Sequence, residues 1–180
     1  MSGAFVSIVT VQMSLTTLLQ LVCIAFLAVL LVGAAAQDLR TMHIANGFSL
    51  AIVALFAIFA TAGLASGQLP ISSIGVAVAC AALVFAVGAA AFAARALGGG
   101  DVKLLAAVSL FASPARLVDF LAITALVGGV LGIASLAGAP IGQPAGAGGT
   151  TPRARLRGGL PYGPAIAGGG LWLAASLGLS

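Results

Sequence analysis

The sequence predicts an all-α, polytopic integral membrane protein with about six transmembrane helices, the fourth of them short. Of its 180 residues, 62% are hydrophobic and only 6% charged, and a mean hydropathy of +1.26 lies far above that of a soluble domain. Several apolar stretches reach or approach the roughly 20 residues that a helix needs to cross a bilayer core. None alternates with a period of two, as barrel strands do.

Glycines, prolines and charges punctuate the hydrophobicity and leave six candidate spans, at about 15–36, 48–65, 72–95, 102–113, 117–138 and 161–178. The first is too long for a secretory h-region and has no basic n-region before it, so it reads as a retained helix. The fourth is the short one, because twelve helical residues reach about 18 Å against a hydrocarbon core of about 30 Å. Local thinning of the bilayer, or a start inside the membrane, accommodates it. Residues 139–160, APIGQPAGAGGTTPRARLRGGL, read as a flexible cytoplasmic loop within a single membrane domain that spans 1–180.

Charge supports this count. With both termini outside the cytoplasm, the cytoplasmic connections hold Arg40, Arg95, Lys103, Arg153, Arg155 and Arg157, which is six of the seven basic residues; only Arg116 falls outside. A re-entrant fourth segment would turn the last three arginines outward, against that bias. Although the pI is about 10.1, the basic residues form no stripe, which argues against nucleic acid and for an anionic lipid surface as their partner. Cys23 and Cys80 sit in separate apolar runs without metal-ligand spacing, and read as small buried residues.

The acidic residues are Asp38, Asp101 and Asp119. On this topology Asp38 and Asp101 lie at one membrane face and Asp119 at the other, so two carboxylates can share a site. A carboxylate near membrane depth is costly and usually functional, although a span boundary weakens that inference. Asp101 follows Gly98, Gly99 and Gly100, where missing Cβ atoms leave room for close backbone approach or for positive φ. It also stands at a helix start, where capping is an alternative role. Asp38 belongs to QDLRTMHIANGFSL, a polar island that also holds Arg40, His43 and Asn46. His43 has no second metal ligand nearby, Asn46 reads as a helix cap, and Arg40 and Lys103 read as interfacial anchors.

The pair DLRTMHIAN and GGGDVKLLAAV resembles the two signatures of the small type IV prepilin leader peptidases, of the kind that serve tight-adherence (Flp) pili, within the GxGD intramembrane aspartic proteases. Gly98, Gly100 and Asp101 match GxGD, and Lys103 and Leu104 match the residues that follow it. Asp38, Arg40, Ile44 and Asn46 match D-x-R-x-x-x-I-P-N, with Ala45 where proline is usual. LPYGPAIAGGG, from Leu160, is similar to the last-span motif. The resemblance implies a peptidase of the bacterial inner membrane with Asp38 and Asp101 as catalytic pair. It implies Gly98, Gly100, Lys103, Arg40 and Asn46 as substrate-binding or site-shaping residues, and neither metal nor cofactor. Its substrate would be a prepilin with a short basic leader before a hydrophobic helix. The larger relatives, which also N-methylate the product, carry a loop with paired cysteines; nothing here corresponds to it, so methylation is not expected. The rival reading is a small proton- or cation-coupled transporter using the same aspartates as a relay.

Overall fold

The structure, a computed structural model, describes residues 2–137 and 161–179, with side chains from residue 15 onward. The 139–160 loop, with Arg153, Arg155 and Arg157, lies outside the described residues, and the regular structure among the described residues is all helical. The described helices are α1 Ser2–Thr41, α2 Asn46–Ala65, α3 Ile71–Ala93, α4 Gly99–Ser109, α5 Pro114–Leu136 and α6 Gly163–Gly178. Four of them, α1 (from Leu15), α2, α3 and α5, are long and apolar enough to cross a membrane. With 11 and 16 residues, α4 and α6 extend about 16 and 24 Å. Large apolar side chains such as Val29, Leu83, Val87, Leu126, Val130 and Ile133 are more than 60% exposed, which suits a surface solvated by lipid.

Local chemistry sets the helix ends. Pro114 opens α5 at its first position, where a missing N–H costs nothing, and the Ser113 hydroxyl accepts the Arg116 N–H at 3.4 Å. Pro70 precedes α3. At its other end α3 closes when the Ala96 N–H bonds Ala91 O at 2.9 Å and Arg95 takes a left-handed conformation, φ 60°. That conformation costs a non-glycine residue about 1–2 kcal/mol. Met42, φ 53°, turns the chain out of α1 in the same way, with its N–H on Asp38 O at 2.8 Å. The two strained residues lie in the connections next to the two aspartates, Met42 after the helix of Asp38 and Arg95 before the helix of Asp101.

Lipid tails are as apolar as leucine, so close packing rather than water exclusion joins the helices. The short helix α4 is central, with Val102, Leu104, Ala106, Ala107, Val108 and Ser109 all buried against α2, α3 and α6. Gly88 of α3 admits Val102, whose methyl would lie 2.8 Å from a Cβ there. The triple glycine of α6 lets that helix wedge between its neighbours. Gly169 faces Thr124 and Phe120 of α5, while a Cβ at Gly170 would stand 2.7 Å from a Leu31 methyl of α1. Beyond the far end of α4, Phe111 packs edge-on to Phe56 with ring centroids 5.3 Å apart, and pairs of this kind add about 0.5–1.5 kcal/mol.

Candidate active site

Asp38 lies one turn before the end of α1. The helix runs to Thr41 rather than ending at 36 as expected, so the carboxylate belongs to the helix and is only 4% exposed. Its partner comes from the other end of the chain: the Gly163 N–H donates to Asp38 Oδ2 at 2.8 Å. Gly163 is the first residue of α6, whose opening N–H groups have no partner within their own helix and lie at the positive end of its dipole. A Cβ at Gly163 would be 2.7 Å from Asp38 Cβ and 2.9 Å from Oδ2. Only glycine permits this approach.

Asp101 occupies the first turn of α4, where its Oδ2 accepts the Gly98 N–H at 3.2 Å. The capping role is therefore real, and it sets the carboxylate's orientation. Burial, and then the charge of Asp38, push the Asp101 carboxyl up to about 6, with the Gly98 N–H pulling weakly the other way. The two carboxylates thus stand close enough for one to oppose ionisation of the other.

The glycines before Asp101 make room, and the chain itself uses that room. Gly98 has φ −74°, and among the described residues only Gly67 is a glycine at positive φ, so left-handed backbone is not their purpose. A Cβ at Gly98 would meet Asp101 Oδ2 at 2.7 Å, and one at Gly100 would meet the Ile44 carbonyl oxygen at 3.1 Å. Gly100 thereby seats the buried Ile44 and ties the connection after Asp38 to the helix that carries Asp101.

The other expected site residues are placed differently. Asn46 is the first residue of α2, not its cap; Ala45 precedes it and makes no side-chain cap bond. The Asn46 Oδ1 instead accepts the Lys103 ammonium at 2.9 Å. Lys103 is two positions from Asp101, about 200° around the helix, and lines a separate groove of about 580 Å³ between α2, α3 and α4. Arg40 and His43 are exposed. Asp119 is exposed near the start of α5, past the far end of α4. Among the described residues, no three His, Cys, Asp or Glu side chains gather into a metal-binding group.

Sequence reasoning does not single out Gly163 as a site residue, although it stands in the YGPA stretch of the last-span motif; its partner is 125 positions away. It also passes over Gln37, whose Oε1 accepts the Ala45 N–H at 3.3 Å. Ala45 has φ −66° and ψ 139°, a conformation that proline would adopt unaided. Ala45→Pro is therefore expected to be almost neutral, since a gain of about 0.4–1 kcal/mol from the stiffer unfolded chain offsets loss of that hydrogen bond. In a Gln37→Ala background, where no bond is left to lose, the same change should raise the melting temperature in detergent.

Residues 24–133 match the sequence profile of the type IV leader peptidase family. The chain belongs to that family. The matched stretch holds both aspartates and the glycines before Asp101, and it ends before α6, so the Gly163 contact is supplied by chain beyond it. No curated protein and no solved structure gives a significant match. Family membership supports a leader peptidase acting on prepilin substrates and lends nothing to the transporter reading.

Proposed function

We propose that this leader peptidase is an aspartic endopeptidase of the bacterial inner membrane that cuts the leader from Flp-type prepilins, with Asp38 and Asp101 as its catalytic pair. The observation that carries the reading is the pairing itself: two carboxylates 63 positions apart in the matched segment lie near enough for the charge of Asp38 to act on Asp101, and each is held by a backbone N–H. Asp38, facing the N-terminus of α6, is the better seat for negative charge. Asp101, pushed up to about 6, is the better seat for the shared proton.

The chemistry follows from that division. Asp38 takes a proton from water as the oxygen attacks the scissile carbonyl, and Asp101 gives its proton to the carbonyl oxygen. Collapse of the tetrahedral intermediate breaks the C–N bond, the proton on Asp38 passes to the leaving amine, and the hydroxyl proton returns to Asp101. Hydrolysis alone is the proposed activity, without N-methylation.

Co-expression with a candidate prepilin, followed by N-terminal sequencing of the product, tests the reading; an uncut prepilin overturns it. The proton assignment has its own test. Because the raised carboxyl must be protonated to act, kcat/KM should fall about tenfold per pH unit as pH climbs beyond about 6. A profile flat to pH 8 would reassign the acid.

A further inference from the structure

Asp101 does not face a closed interior. It lines a cleft of about 710 Å³ whose opposite wall is α5, from Leu121 to Ser135, with Tyr162, just before α6, and Ile166 of α6 between them. That stretch of α5 is about 21 Å long, more than a single scissile bond requires. The cleft exists because α5 packs mainly on α6 and barely on α3.

Packing fixes where the catalytic pair stands along this wall. Gly169 lies against Thr124, and a Cβ at Gly128 would touch the Tyr162 ring at 3.6 Å and Ala165 at 3.5 Å, so α5 and α6 run antiparallel. The start of α6, which holds Asp38, is therefore level with Gly128 to Gly132. The cleft has one arm on each side of that level. The arm toward Leu121 is mainly apolar, with Leu105, Leu121 and Ile166 around Ala125 and a single buried hydroxyl, that of Thr124, which makes no hydrogen bond among the described residues. The arm toward the end of α5 holds Gly132, Ser135 and the Arg95 to Leu97 connection.

Each arm suits a different conformation of one polypeptide. Ala125 and Gly129 are exposed and one turn apart, the small-residue spacing that lets a second helix approach closely in lipid. Ser135 is 8% exposed, lines the other arm, and has no hydrogen-bond partner among the described residues. That hydroxyl is free to pair with a ligand, and unwound backbone offers carbonyls that a helix would have satisfied itself.

We infer that the cleft holds the substrate across the catalytic pair, its apolar helix on the Ala125–Gly129 face of α5 and its unwound leader along Gly132 and Ser135. This rests on the peptidase reading and adds where, and in which direction, the substrate lies. The occupant follows from continuity with Asp101 and from an apolar arm joined to a polar one, which matches a chain that passes from hydrophobic helix to leader.

The test uses the full chain with a photo-crosslinking residue at Ala125, at Gly132, or at the lipid-facing Gly75 of α3 as control, each in an Asp38→Asn background that preserves the uncut prepilin. Capture of the apolar segment from position 125 and of the leader from position 132, both well above position 75, is the expected result. Capture equal at all three positions, or with the two segments exchanged, overturns the inference. In the active enzyme Gly129→Leu fills open space, since no atom lies within 4 Å of a Cβ there. It should raise KM about tenfold with little change in kcat, whereas Gly75→Leu should change neither. An unaltered KM in Gly129→Leu overturns the helix seat. If the unmodified enzyme cuts no prepilin at all, the peptidase reading falls and this inference falls with it; normal cutting without the capture pattern removes the inference alone.

Discussion

Asp38→Asn and Asp101→Asn are each expected to lower prepilin cleavage by on the order of 10⁴-fold, the scale on which loss of one member of a catalytic unit is felt. Neither change should harm the fold. An asparagine at 38 keeps an oxygen for the Gly163 N–H, and one at 101 keeps an oxygen for the Gly98 N–H, so both hydrogen bonds that hold the site survive. What disappears is the ability to share one proton between two carboxyl groups. The measurement is cleavage by the purified variants, with thermal unfolding in detergent beside it. Substantial turnover by either asparagine variant would remove the aspartate pair from the chemistry.

The second large effect is expected far from both sequence signatures. Gly163→Val places a branched side chain where even a Cβ comes within 2.9 Å of the Asp38 Oδ2. Asp38 and the start of α6 must then separate, with loss of the 2.8 Å bond. A displacement of about 1 Å at a reacting group costs about 100-fold in rate, and cleavage should fall by at least that. Gly75→Val, in open space on α3 away from the site, is the matched control and should cut normally. If Gly163→Val retains wild-type cleavage at unchanged stability, the amide of α6 does not position Asp38.

Much of this protein was legible in its sequence, for a physical reason. Membrane helices advertise themselves through uninterrupted apolar length, because every backbone polar group in lipid must be satisfied within its own segment. That constraint is local, so α1, α2, α3 and α5 and the brevity of α4 could all be read from composition and punctuation. Asp38 and Asp101 stood out equally, since a chain with three acidic residues has few places to put a carboxylate. Their surroundings were another matter. Asp101 and Lys103 are two residues apart in sequence, yet the helical turn sends them to different grooves, one to the Asp38 site and the other to Asn46. The glycines before Asp101 announced a close approach without saying to what, and only the packed connection after α1 shows that Ile44 fills the space above Gly100. What holds Asp38 in place, and what opens the cleft beside Asp101, depend on how α6 docks between α1 and α5. Periodicity and spacing report on a helix's own faces, whereas the partner of each face is chosen by interhelical packing among segments more than a hundred residues apart, and that choice exists only once the tertiary structure has formed.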